Sequence, residues 1–298
     1  MCGIVGLFIK DKSLESELGS LLTDMLVTMT DRGPDSAGIA VYGNNTDQHV
    51  KLTIQSDNPS EDFANLDAEL SETLNTSVLI RHKDTHAVLE IPADKAIKAR
   101  QILNNIRPNV CVMSAGASIE IYKEVGLPKD VANRFEISGM SGSHGIGHTR
   151  MATESAVTTM GAHPFSTGAD QCLVHNGSLS NHNSLRRKLV REGIHVETLN
   201  DTEVGAAYLT WKMKQGSSLG EALKSSLEDL DGFFTFVVGT KDGFGVVRDP
   251  IACKPAVMAE TDQYVAFGSE YRALVNLPKI GNARVWEPEP ATVYFWNH

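Results

Sequence analysis

The sequence predicts an α+β fold, and three observations carry that reading. Short apolar runs bounded by glycine-rich turns recur along the chain, while its helical patterns cluster instead of alternating one by one with strands. That order favours segregated layers over a doubly wound parallel sheet. No GxGxxG or GxxxxGK[ST] follows a strand pattern, so no nucleotide loop is indicated. Finally, 298 residues that are 41% hydrophobic and 21% charged suffice for a proper core in one large domain or two modest ones.

Residues 2–9 are apolar and end at Lys10-Asp11, which suits a buried strand beginning almost at the first residue. Chain ends usually fray unless tied down, so this placement is notable. Leu18, Leu21, Leu22, Met25, Leu26 and Met29 form the i, i+3, i+4, i+7 stripe of an amphipathic helix. Arg32-Gly-Pro-Asp-Ser-Ala-Gly38 breaks it with turn residues, and 39–42 reads as strand.

Residues 44–142 differ in kind. Strands are expected at 50–54, 78–80, 87–91 and 110–113. One helix is marked by Phe63, Leu66, Leu70 and Leu74, and another spans 93–106 with Ile97, Ile102 and Ile106 available for burial. Such a stretch can form a small α/β subdomain with its own minor core. Beyond it, strands are expected at 145–150, 171–175, 233–239, 245–247, 264–267 and 292–295. Helices are expected at 183–192, 201–215 and 218–230, the last carried by Leu219, Leu223, Leu227 and Leu230.

Lysine plus arginine minus aspartate plus glutamate is 27 − 37 = −10, not the footprint of a nucleic-acid or anionic-membrane binder. The four cysteines, at 2, 111, 172 and 253, form no CxxC pair and no dense disulfide framework. No apolar run approaches a membrane span, and no basic n-region opens the chain. A soluble cytoplasmic protein is expected. His82 and His86, and His144 and His148, have i, i+4 spacing but lie beside strands or among glycines, so no metal site is assigned.

Cys2 is the sharpest chemical feature. Once the initiator methionine is removed, it carries both a thiol and an α-amine. A free amine titrates near 8, so it can take the thiol proton at neutral pH without a histidine. Taken alone, Cys2 reads more readily as a small buried residue at a strand start. Asn176-Gly177 reads alone as a turn, Asp201 as a helix N-cap and Arg32 as a surface salt-bridge partner.

The surrounding motifs decide between these readings. Cys2-Gly-Ile-Val-Gly and Arg32-Gly-Pro-Asp-Ser-Ala-Gly are followed by Gly147-His-Thr-Arg-Met-Ala-Thr153, His163-Pro-Phe, Val174-His-Asn-Gly-Ser178 and Asp201-Thr-Glu203. Arg248-Asp-Pro-Ile-Ala-Cys-Lys-Pro255 and Gly268-Ser-Glu270 complete the series. In this order they resemble the class II (N-terminal nucleophile) glutamine amidotransferases over residues 1–43 and 143–298. The resemblance implies a four-layer αββα sandwich across residues 1–298, with an inserted subdomain at about 44–142. It implies L-glutamine as substrate, Cys2 as nucleophile, and an oxyanion hole made by the Asn176 amide and the Gly177 N–H. Arg150 and Thr153 would then hold the α-carboxylate and Asp201 the α-ammonium, while Arg32 organises the loop over Cys2. A planar arginine fork suits the carboxylate.

Two departures accompany the resemblance. Where the family usually has glycine and arginine after its Arg-Asp-Pro segment, this sequence has Ala252 and Lys254. The chain also ends where the glutaminase ends, so the synthase that consumes ammonia is expected on another polypeptide. This arrangement is similar to the stand-alone GlxB-like amidotransferase subunit of split glutamate synthases and of N-methylglutamate synthase. It implies a hetero-oligomer with a flavin- and iron–sulfur-containing synthase subunit (FMN and clusters in the partner, no cofactor in this chain) and a further synthase subunit. The alternatives are a non-catalytic structural subunit of the same complex and an amidase for another amide.

Overall fold

The computed structural model describes residues 2–43, 48–152 and 156–298. Strand β1 (Gly3–Ile9) is buried along its whole length because both its faces are covered. Side chains alternate along a strand. Ile4 and Phe8 therefore enter one core, with Val174, Val237 and Phe244. Val5, Leu7 and Ile9 enter another, against Leu18, Leu22, Met25 and Leu26 of α1 (Leu18–Val27).

β1 lies in the middle of an antiparallel seven-stranded sheet. On one side follow β14 (Tyr264–Gly268), β13 (Val257–Glu260) and β15 (Arg284–Trp286); on the other, β8 (His144–Arg150), β2 (Ser36–Tyr42) and β7 (Ile119–Val125). A five-stranded sheet faces it, ordered β16 (Thr292–Asn297), β12 (Gly243–Arg248), β11 (Gly232–Thr240), β10 (Gln171–Leu179) and β9 (Phe165–Gly168). Its far face is covered by α6 (His182–Arg191), α7 (Asp201–Lys214) and α8 (Leu219–Asp229). The layer order is helix, sheet, sheet, helix: the αββα sandwich. Close approach of the sheets requires glycine at Gly6, where a Cβ would lie 2.7 Å from the Phe244 ring.

The third sheet, β4 (Leu79–Lys83), β5 (His86–Pro92), β3 (His49–Gln55) and β6 (Cys111–Gly116), packs on α3 (Leu66–Leu74) and α4 (Ala96–Ile106). The short α2 (Pro59–Asp62) precedes α3. This separate sheet is narrower than the expected insertion at 44–142. β7 and α5 (Pro128–Arg134), neither anticipated from the sequence, return to the first layer, where β7 pairs with β2 and α5 packs in the α1 core. The expected burial of Ile97 and Ile106 on α4 is also corrected. Ile97 is 79% exposed and Ile106 lies at the surface, because Ala99 and Leu103 form the stripe that meets the sheet. β9, β13 and β15 are three or four residues long, too short for a visible alternation.

Asp170, between β9 and β10, joins the three sheets. Its buried carboxylate accepts the N–H groups of Ala117, Ser118 and Ile119 at 2.7, 2.8 and 3.0 Å, and the Ser118 hydroxyl at 2.9 Å. These residues form the turn from β6 into β7. Asp170→Ala orphans these donors and is expected to lower the unfolding free energy by about 3 kcal/mol, read by chemical denaturation.

Ala252 has φ +52°, the left-handed region where the family usually has glycine. Its carbonyl is fixed there by an Arg248 guanidinium N–H at 2.7 Å, and its N–H by Asp249 at 3.3 Å. Ala252→Gly removes the Cβ strain and is expected to stabilise the protein by about 0.5–1 kcal/mol, measured as a raised Tm.

Candidate active site

Cys2 stands at the head of β1, partly exposed, while the seven residues after it are buried. Its backbone carbonyl is gripped from two sides. Arg32 Nε donates to it at 2.9 Å from the turn following α1. Asn176 Nδ2 donates to it at 3.2 Å from β10 of the facing sheet. The next two amides are engaged as well: Gly3 N–H donates to Thr149 Oγ1 at 3.2 Å and Ile4 N–H to Ser269 Oγ at 2.9 Å. Arg32 is itself held by Glu270 at 2.6 Å.

Gly177 follows Asn176 with φ +152°, and a Cβ there would lie 2.0 Å from the Phe233 carbonyl oxygen. Only glycine fits this position. Arg150 ends β8. Because Gly3 pairs with Thr149 in the antiparallel register, one further step places Arg150 opposite Cys2. Its guanidinium is buried and donates from Nη1 to the Ala156 carbonyl at 3.4 Å.

Asp201 opens α7, but Asn200 is the N-cap, its side chain accepting the Thr202 N–H. The Asp201 carboxylate instead turns toward β10. Oδ2 accepts the Leu179 N–H at 2.9 Å, and Oδ1 lies 3.7 Å from His175 Nδ1. Burial raises its pKa, yet His175, the Leu179 N–H and His182 together outweigh this and hold it at about 2. The site is thus built where two sheets meet: a thiol, an amide donor with a neighbouring glycine N–H, a buried guanidinium and a persistent carboxylate. This donor set suits attack on an amide that belongs to a zwitterionic amino acid.

Residues 148–276 match the family described as a glutamine amidotransferase domain. Over 298 residues the chain is 70% identical to the glutamine amidotransferase-like protein GlxB of Rhizobium meliloti (strain 1021), covering 100% of this chain and 99% of that one. The chain belongs to the glutamine amidotransferase family. It is also 32% identical over 167 residues to the amidophosphoribosyltransferase of Methanocaldococcus jannaschii, a match spanning 55% of this chain and 36% of that protein. In fold, the amidotransferase superposes on the glutamine phosphoribosylpyrophosphate amidotransferase from B. subtilis, with TM-score 0.63 and 20% identity. That alignment covers 99% of this chain and 47% of the other. The likeness to that structure is one of fold.

Among the residues singled out from the sequence, Arg32 and Asn176 each contact Cys2 directly. Gly177 and Asp201 adjoin them through β10, and Arg150 through β8. Arg32, expected near the substrate, hydrogen-bonds the Cys2 carbonyl and pairs with Glu270. Thr153 lies outside the described residues. The i, i+4 histidines fall on strands, and among the described residues no three His, Cys, Asp or Glu side chains are grouped to hold a metal. Sequence reasoning assigned no role to Thr149, Ser269, Glu270, His175 or Thr202. Each lies inside a quoted motif, but what it touches is set by pairing across the fold. Clefts of about 380, 530 and 640 Å³ border the inserted unit, and none of them is lined by Cys2.

Gly177→Ala forces a clash with β11 and is expected to cut turnover at least about 100-fold while the protein still folds, checked by steady-state kinetics beside a melt. The depressed pKa of Asp201 also has a stability consequence. Its contribution is complete above the unfolded value of 3.8 and disappears as pH falls toward about 2. The stability difference between wild type and Asp201→Asn is therefore expected to be constant at neutral pH and to shrink over that acid range, as followed by denaturant titrations.

Proposed function

We propose that this amidotransferase hydrolyses L-glutamine to glutamate and ammonia through a thioester on Cys2, and that it passes the nitrogen to a separate synthase subunit. The contact of Asn176 Nδ2 with Cys2 across the two sheets carries this reading, because it puts a strong amide donor beside the nucleophile.

With Cys2 as the terminal residue, its α-amine takes the thiol proton and Sγ attacks the glutamine side-chain carbonyl carbon. The C=O π pair moves to oxygen, where charge develops. Asn176 Nδ2 has two hydrogens, so one can stay on the Cys2 carbonyl while the other meets this oxyanion together with the Gly177 N–H. Such preorganised donors contribute about 10²–10³ in rate each. Collapse breaks the C–N bond, the terminal ammonium returns its proton to the leaving amine, and ammonia departs. Water, deprotonated by the same amine, attacks the thioester; glutamate leaves and the thiol is restored. Arg150 would pair with the α-carboxylate and Asp201 with the α-ammonium. Thr153 would add a hydroxyl contact.

The proposed acceptor is a glutamate synthase-like or N-methylglutamate synthase partner that carries FMN and iron–sulfur clusters, with a further subunit in the complex, in the cytoplasm. The chemistry supports a partner, since ammonia released into water is lost to dilution and protonation. The described residues contain no helix long and apolar enough to cross a membrane.

Intact-protein mass after incubation with a glutamine-mimicking electrophile tests the nucleophile. The expected result is loss of the initiator methionine plus one adduct localised to Cys2; a retained methionine would remove the proposed base. Cys2→Ala is expected to abolish glutamine-dependent synthesis by the complex while ammonia-dependent synthesis continues. Loss of both activities would count against nitrogen delivery as the role of Cys2.

A further inference from the structure

Behind the oxyanion strand lies a buried polar cluster that the hydrolysis above does not use: His148, His163, His175 and Thr202, all at most 5% exposed. The Thr202 hydroxyl lies 2.7 Å from His163 Nε2 and 3.0 Å from His175 Nδ1. His148 stacks on His163 at 4.0 Å between ring centroids, and its Nε2 lies 3.2 Å from the His175 carbonyl.

Partner chemistry fixes the direction of two of these bonds. A carbonyl only accepts, so His148 Nε2 carries a proton and donates to His175. The carboxylate of Asp201 only accepts and faces His175 Nδ1, so Nδ1 carries a proton. That N–H donates to Thr202 Oγ1. Burial holds His163 well below the ordinary histidine range and keeps it neutral, and its Nε2 shares one hydrogen bond with the same hydroxyl. Thr202 Oγ1 thus joins the two rings, His175 on one side and His163 on the other.

His175 is where this cluster meets the substrate site. Its ring approaches Asp201, and its backbone continues directly into Asn176 and Gly177. We propose that Thr202 is a positioning residue for glutamine recognition, its hydroxyl fixing the His175 ring so that Asp201 and the Asn176–Gly177 donors keep one shared geometry. This deepens the assignment of Asp201 to the α-ammonium and rests on it. Without the hydroxyl, the His175 Nδ1–H has no Oγ acceptor and turns to the Asp201 oxygen 3.7 Å away. There it competes with the ammonium for the same lone pairs.

The test compares kcat and KM for L-glutamine and for glutaramate, which is glutamine without its α-amino group, in the complete complex. Thr202→Val is expected to lower kcat/KM for glutamine about tenfold, mainly through KM, with little change for glutaramate. Thr202→Ser, which keeps the hydroxyl, restores the wild-type ratio. A purely structural role would lower both substrates together, and that outcome overturns the proposal, as does an unchanged glutamine value. If Thr202→Val does not fold, Thr202→Ala is read in the same way. Wild-type complex that fails to hydrolyse glutamine overturns the glutaminase reading itself, a result separate from any Thr202 effect.

Discussion

The candidate site depends on holding Cys2 still at the edge of a core. Cys2 stands just ahead of the strand, and the fold restrains it from several directions. Arg32 and Asn176 share its carbonyl, and β8 and β14 pair with the strand that follows. Hydrogen bonds from a guanidinium are among the stronger neutral-acceptor contacts, and the low dielectric around β1 strengthens them further. Displacing Cys2 would require breaking these bonds and unzipping a strand buried on both faces. The order of this residue is thus a property of the sheet, and its side chain inherits it.

Charge is distributed around this point with the same economy. His148 and His163 behind β10 are neutral: burial pushes His148 down to about 3 and holds His163 well below the ordinary histidine range. They act as dipoles that orient neighbours without adding charge to the site. Lys123 from β7 is a further buried cation of this region. Its ammonium reaches the carbonyls of Met160, Ala162 and Pro164 at 3.3, 2.9 and 3.3 Å and lies over the Phe165 ring. Burial lowers its pKa to about 8 despite nearby Glu203 and Glu197, so near neutral pH it remains charged. By gathering these carbonyls it shapes the segment that presents His163 to Thr202.

The inserted sheet has its own apolar core, built on Leu52, Ile54, Leu70, Leu89 and Leu103, while Val88 of β5 and Met113 of β6 enter the cores of the sandwich and polar contacts add to them. Asp170 caps the turn where the chain leaves it, and Glu120 of β7 accepts from Lys51 and Arg81 at 2.9 Å each. A hydrophobic core of its own, with a seam of apolar and charged contacts, holds the insertion against the main layers.

Much of this was legible in the sequence because the relevant signals are local. The apolar run at 2–9, the stripe from Leu18 to Met29 and the leucines of the helix at Leu219–Asp229 each announce an element through its own periodicity. The order of short motifs announced the family and its residues, since nucleophile, Asn-Gly pair, arginine and aspartate each stand in a recognisable string. Short edge strands such as β9 and β15 lack enough residues for a pattern, and β7 was hidden because its pairing partner, β2, lies across the insertion. The exposure of Ile97 shows the same limit, because which helix face is buried depends on the sheet it meets. Tertiary structure alone decided what those strings do to one another: that Arg32 serves the Cys2 carbonyl, that Asn200 rather than Asp201 caps α7, and that one threonine hydroxyl joins two histidines. These contacts link residues far apart in the chain, and only the register of paired strands and the packing of α7 on β10 bring them within hydrogen-bond reach.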